Sequence, residues 1–262
     1  MQHSRRLLGV DLAERISTLR RVNGLSARQL AALVDVAPTT VTRIESGAVS
    51  PSFDLAQEIL TVLGEPIGFT GLADVDAIAT ARLALNPALD VSPTPGVELW
   101  RQRWARIGLL DADGRVAAGK EADLLFRAGR AARLTRRPGA MDFTAGLSAD
   151  VVADSLRGAG IDYALTGDAG ANRYRSSAGE AWPVIYVEDV ARAAEAAGLV
   201  RKEPGSFGMR VTLIPFDGVS EVGRVDIASV TVVARDQVII DAYGGIDRMV
   251  EQADILMGRR VA

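Results

Sequence analysis

Cysteine is absent from the chain, and histidine occurs once, as His3. The first absence excludes disulfides, thiolate zinc sites, iron–sulfur clusters and cysteine nucleophiles. The second argues against a Ser-His-Asp triad or a histidine-rich metal site. No apolar run approaches the roughly 18 residues that cross a bilayer. The apolar stretch near the N-terminus, Leu7 to Val10, is too short for the core of a secretory signal. These absences predict a cytoplasmic chain with no membrane contact, no metal and no cofactor. What is present is ordinary globular material. The 262 residues are 48% hydrophobic and 24% charged, enough for one large or several small cores.

Charge is distributed unevenly. The net charge is −3, yet residues 1–66 are neutral, 67–97 carry −2, 98–140 carry +5 and 141–262 carry −6. A basic middle therefore lies between a neutral head and an acidic tail. The stretch from Asn86 to Val97 holds three prolines, a glycine and a serine, the composition of a linker. A weaker break falls near residues 136–146. Four segments are predicted: a head (1–72), a helical spacer with the proline-rich linker (73–97), a basic helical middle (98–140) and an acidic α/β tail (141–262).

In the head, Leu12, Ile16 and Leu19 share one helical face, and Asn23-Gly24 ends that helix. Ser26 stands as an N-cap before a second helix with Leu30, Ala31 and Val34 inward. A tight turn at Asp35–Ala37 leads to Pro38, which suits the first position of a helix because its missing N–H would be unbonded there. The third helix buries Val41 and Ile44 and stops at Gly47. A fourth begins after Pro51 and Ser52, with Leu55, Ile59 and Leu63 on one face. Two short helices at a tight turn leave the outer face of the second free to enter a major groove. That face offers Thr39, Thr40, Thr42 and Arg43, with Ser26 and Arg28 at the start of the preceding helix. Arginine suits guanine or phosphate, and threonine suits a thymine methyl or phosphate oxygen.

The run from Gly24 to Gly64 resembles the XRE/Cro/C1-type helix-turn-helix family. The matching residues are Leu25-Ser26, Leu30-Ala31, Val36, Val41, Arg43-Ile44-Glu45, Gly47, Pro51 and Leu63-Gly64. The resemblance implies sequence-specific binding of double-stranded DNA at an operator, usually as a homodimer. The chain departs from the family at Ala27, where many members have a phosphate-binding glutamine. It departs again at Asp35 in place of the turn glycine and at Ala37 in place of a capping serine.

In the middle, Leu99, Trp100, Trp104, Ile107 and Leu110 are predicted to form the inner face of one helix. Leu124, Leu125, Ala128 and Ala132 form that of a second. Arg127, Arg130 and Arg133 recur every third residue, with Arg136 and Arg137 beyond. Two readings stay open. The stripe follows a phosphate backbone as part of a winged-helix-like second DNA contact, or the helix docks on the acidic tail. Gly114 to Lys120 imitates a phosphate-binding loop, but Glu121 replaces the required Ser or Thr. The glycine-containing runs at 179–183 and 203–208 lack phosphate-loop order.

The tail alternates strand and helix signals. Strands are predicted at Ile161–Gly167, Pro183–Asp189 and Met209–Asp217, and helices at Val190–Val200 and Ile246–Met257. Val233–Gly245 reads as either a strand or a short helix. The order of a strand, a Thr166-Gly167 turn, a short helix and an apolar strand resembles the start of a nucleotidyltransferase fold. In active members a carboxylate pair on the second strand holds magnesium. Here that strand, Trp182 to Val187, carries no acid. Glu188-Asp189 are adjacent, so they point to opposite faces. The tail also resembles the C-terminal domain of AbiEi-type antitoxins of type IV toxin–antitoxin systems. That resemblance rests on Tyr163 to Gly167, Ile185 to Val187, Val238 to Gly245 and Glu251 to Ala253. It implies a non-catalytic autoregulator encoded beside a nucleotidyltransferase-like toxin.

The expected whole is an α+β multidomain protein. It joins an all-α helix-turn-helix head and a basic helical or winged-helix-like middle to an α/β tail resembling a degenerate nucleotidyltransferase. The expected function is an autoregulating DNA-binding antitoxin, not an enzyme. The alternatives are a module that captures a partner enzyme and, third, an active nucleotidyltransferase.

Overall fold

Helices of the N-terminal region are short, separated by tight turns and amphipathic, so they can close a core only against one another. A computed structural model, which describes residues 12–63, 73–175, 182–202, 209–245 and 248–259, shows that they do so. His3, the closing Gly64, residues 179–181 and residues 203–208 lie outside that description. The chain divides into two units, Met1–Gly71 and Leu72–Ala262. The first contains α1 (Leu12–Val22), α2 (Ala27–Leu33), α3 (Pro38–Glu45) and α4 (Phe53–Val62). Ile16, Leu30, Val41, Ile44 and Ile59 fill its core, as the spacing predicts.

The second unit opens with α5 (Val75–Leu85), α6 (Pro95–Arg106) and α7 (Glu121–Ala131). Then follow β1 (Met141–Thr144), α8 (Ala149–Gly158), β2 (Tyr163–Thr166), α9 (Gly167–Tyr174), β3 (Val184–Val187) and α10 (Val190–Ala196). The unit ends with β4 (Val200–Arg201), β5 (Arg210–Pro215), β6 (Val225–Ile227), β7 (Val230–Val232), α11 (Arg235–Gly244) and α12 (Arg248–Leu256). The strands make one mixed sheet in the order β4-β1-β5-β3-β2-β7-β6. The β5–β3 and β2–β7 pairs are parallel, and the other pairs are antiparallel. Successive residues face opposite sides: on β3, Val184 and Tyr186 join one core while Ile185 and Val187 join the other. Helices α8 and α10 pack on the second side, and α5, α7, α11 and α12 on the first.

Two expectations are corrected here, and one open choice is resolved. The proline-rich stretch is not a domain linker. Val91 and Val97 pack on Ala79 of α5, and α5 is itself buried in the second unit's core. The stretch instead starts a helix: Pro95 is in the first turn of α6, and the Thr94 hydroxyl accepts from the Val97 N–H at 3.1 Å. The division between units therefore falls at residues 71–72, and the spacer, middle and tail share one body. Nor is the middle a winged helix. Its only strand-like feature is a single bridge from Leu110 to Val116, and α7 lies against α11. Docking on the tail is what occurs, through the apolar side chains Leu124, Leu125 and Ala128 and one buried ion pair rather than through the exposed arginine stripe. Finally, Val233–Gly245 is mostly helix. Residues 237–244 of α11 are all buried, so no amphipathic period marks them, and Val238, Ile239 and Ile240 read locally like a strand.

Two features lock α7 to α11. A Cβ on Gly129 would lie 2.4 Å from the Ile240 carbonyl oxygen, and one on Gly244 would lie 2.8 Å from that of Gly129. The helices thus meet backbone to backbone. Just beyond α7, Arg137 is buried and ion-paired with Asp241 of α11. The Asp241 carboxylate also accepts from Thr166 Oγ1 at 2.7 Å, Gln237 Nε2 at 2.9 Å and the Tyr186 hydroxyl at 3.3 Å. Desolvation works to neutralise Arg137, but the surrounding Tyr186, Asp241 and Asp217 outweigh it and hold the guanidinium above its ordinary pKa. A second buried arginine, Arg82 of α5, pairs with Asp236 at 3.0 Å and donates to the Val219 and Val222 carbonyls, so it straps the 216–223 loop down.

Among the described residues no helix is long and apolar enough to cross a membrane. All three tryptophans, Trp100, Trp104 and Trp182, lie in the second unit, so their fluorescence reports its unfolding alone. In urea titrations followed this way, Gly129→Ala should cost about 1–3 kcal/mol by forcing the helices apart. Asp241→Ala should cost about 3–5 kcal/mol because it strands a buried cation, whereas the double variant Arg137→Met/Asp241→Leu should cost clearly less. Equal losses for the single and double variants would show that the charges themselves carry the stability.

Candidate nucleic-acid interface

The recognition surface begins with how α3 is held. Ser26 caps α2: its hydroxyl oxygen accepts from the Gln29 N–H at 3.2 Å, while the Gln29 side chain accepts from the Ser26 N–H at 2.8 Å. This is a reciprocal capping box. The turn to α3 passes through Asp35 at φ 46°, a left-handed conformation that glycine adopts without strain. Pro38 begins α3, and no side chain caps it at Ala37. Gly47, at φ 71°, follows its end. The helix turns Val41 and Ile44 into the core. That leaves Thr39, Thr42 and Arg43 exposed and Thr40 half-buried.

A further clamp fixes α3 against α1. Arg20, in the last turn of α1, grips the Glu45 carboxylate with two nitrogens, Nε at 2.6 Å and Nη2 at 2.9 Å. Its third nitrogen donates to the Leu25 carbonyl at 2.7 Å. The bidentate hydrogen bonding to Glu45 raises the Arg20 pKa. Sequence reasoning used Glu45 only as a family marker and passed over Arg20. A basic residue closing the first helix and an acidic one closing the third were the available signal.

The chemistry offered to a ligand is cationic and hydroxylic. Arg43 forms no ion pair, and its side chain makes no hydrogen bond among the described residues; the same holds for exposed Arg28. Thr42 Oγ1 donates back to the Pro38 carbonyl at 3.2 Å, which leaves its lone pairs outward. Ser26 accepts in its cap but keeps its own O–H free to donate. Ser26, Arg28, Thr39, Thr40, Thr42 and Arg43 therefore all sit on α2 and α3 or at the start of α2.

The arginine stripe belongs to the other unit. Arg127 and Arg130 are exposed on α7, and Arg133 is exposed just past its end. Arg137 is a correction: its side chain is fully buried on Asp241 and presents nothing to a phosphate. A stripe of period three holds only while the helix continues, and α7 ends at Ala131.

The tail residues compared with nucleotidyltransferases are also placed. Thr166 and Asp168 are both buried, Thr166 on Asp241, and Gly167 turns between β2 and α9 at φ 57°. Asp189 caps α10 by accepting from the Ala191 and Arg192 N–H groups, and Glu188 pairs with Arg192. Among the described residues no cluster of three or more His, Asp or Glu has the geometry to hold a metal ion.

A helix-turn-helix family model matches residues 16–69. No curated protein and no solved structure matches the chain. The first unit thus carries an XRE-type helix-turn-helix, the DNA-binding module of transcriptional regulators.

Replacing Arg20 or Glu45 with alanine should destabilise the first unit by about 1–3 kcal/mol, the range of charge-assisted hydrogen bonds. The loss should appear in thermal unfolding followed by helical circular dichroism and leave the tryptophan transition in place. A shift of the tryptophan transition instead would sink this assignment.

Proposed function

We propose that the chain is a sequence-specific transcriptional regulator that binds its own operator through α3, as a dimer on a palindromic site. The observation that carries this reading is the division of α3. Val41 and Ile44 anchor it, while Thr39, Thr42 and Arg43 stand outward, with Arg43 uncommitted, within a matched helix-turn-helix. Arg43 reads a base or a phosphate, and the hydroxyls position the helix. A cytoplasmic location accords with this role.

We further infer that the second unit is non-catalytic, in the manner of a type IV antitoxin whose partner is a nucleotidyltransferase-like toxin. The support is chemical. The four residues of β3, where magnesium-binding carboxylates would stand, are apolar or aromatic and buried, and the following Glu188 and Asp189 are spent on α10. Magnesium-dependent incorporation of labelled nucleotide by the purified chain would overturn this part.

The operator reading is tested by fluorescence anisotropy with the chain's own promoter fragment and a shuffled fragment over a salt series. The promoter should bind more tightly, with an affinity that falls steeply with salt. Arg43→Ala should weaken binding by about 1–3 kcal/mol if it reads a base. If it holds a phosphate, it should lower the salt slope by about one unit instead. Equal affinity for both fragments would remove autoregulation.

A further inference from the structure

Helices α6 and α7 frame an open groove of about 510 Å³ in the second unit. Its floor is Trp100, Ile107 and Phe126, laid over the buried Trp104. Ile107 is 57% and Phe126 41% exposed, and together they present one contiguous apolar floor to solvent. The rim is Arg103 and Arg106 from α6 and Arg127 and Arg130 from α7. All four are exposed, and none forms an ion pair among the described residues. No acidic side chain lines the groove. Elsewhere the same unit pairs its arginines readily, as at Arg82–Asp236, Arg157–Asp154 and Arg224–Asp162.

We propose that this groove docks an acidic amphipathic helix of a partner protein. An aliphatic ridge at helical spacing would cover Ile107 and Phe126, and carboxylates flanking that ridge would meet the four guanidiniums. The rim is itself two arginine pairs spaced i, i+3, the spacing at which residues share one helix face. Charge complementarity of this kind sets partner choice and on-rate, and the apolar floor supplies the contact.

The other occupants fit less well. A second copy on a two-fold axis would bring the arginine rims toward one another. A DNA duplex has phosphates for the rim but nothing to cover the floor. A single strand needs open aromatic faces on which bases stack. Trp104 is buried, Trp100 carries the Arg103 guanidinium 4.8 Å from its ring centre while its Nε1 donates to Asp74 at 2.8 Å, and Phe126, packed edge-on against Tyr243, is the one aromatic ring of the floor left for a base. A small molecule would stay largely in water, because the floor is open, whereas ligand pockets enclose most of what they bind. The inference uses no residue of α3 and stands apart from the operator reading.

The test uses the full chain and a fluorescein-labelled helix-forming peptide of about five turns. Leucines lie along one face of the peptide, glutamates flank them, and anisotropy is the readout. The peptide should bind at least about tenfold more tightly than its scrambled version of identical composition, and more weakly as salt rises. The pair Arg127→Glu/Arg130→Glu should weaken it at least about tenfold, and so should Ile107→Ser. Both variants should keep the wild-type tryptophan unfolding transition and full affinity for the promoter fragment. Absence of binding, equal binding of the scrambled peptide or indifference to charge reversal overturns the proposal. So does displacement by a single-stranded or duplex oligonucleotide accompanied by lost promoter binding in the arginine variants, which would assign the rim to nucleic acid.

Discussion

The ion pair between Arg137 and Asp241 joins regions that differ most in composition. Arg137 closes the basic middle, and Asp241 lies at the centre of the most buried helix of the acidic tail. Around the carboxylate converge the end of β2 through Thr166, the middle of β3 through Tyr186 and the preceding turn of α11 through Gln237. Taking two charges out of water is costly, and the cost is recovered only when the geometry is good and the remaining lone pairs are used. The arrangement therefore works as a registration device. The carboxylate gains all its donors only when the segment after α7, α11, β2 and β3 stand in place.

That constraint explains why the middle and tail form one body despite their opposite charges. The attraction suggested by the net charges is not what brings them together. Leucine and alanine side chains on α7 and the close approach of Gly129 to Gly244 make the contact, and one buried pair sets its register. The remaining exposed arginines of α6 and α7 are then left over from the fold. Free cations gathered around an apolar floor, in a chain of net charge −3, are a surface feature that folding does not require.

The first unit rests on a smaller version of the same principle. Arg20 and Glu45 tie the end of α1 to the end of α3, so the outward face of the recognition helix is set by an ion pair on the opposite side. Fixing the helix from behind keeps Arg43 uncommitted.

The helix-turn-helix was readable from the sequence because its determinants are local: the periodicity of Ile16, Leu30, Val41 and Ile44, the Ser26 cap, Pro38 at a first turn and Gly47 past a last one. Each acts within a few residues, and each sits where the spacing places it. The same locality made the outward residues of α3 identifiable before any contact was known. In the second unit the local rules misled. Three prolines in twelve residues spell a linker, yet Thr94 and Pro95 start a helix once Val91 and Val97 find Ala79. Val238, Ile239 and Ile240 left strand and helix both open, because a helix buried on every side carries no polar face to give it a period. Arginine recurrence put Arg137 on the surface, and its partner lies 104 residues away in sequence. Sequence by itself determined what short-range sterics, capping and amphipathicity decide. Only the tertiary structure decided which charges are buried, where the units divide and which arginines remain free, because those outcomes depend on partners that chain distance conceals.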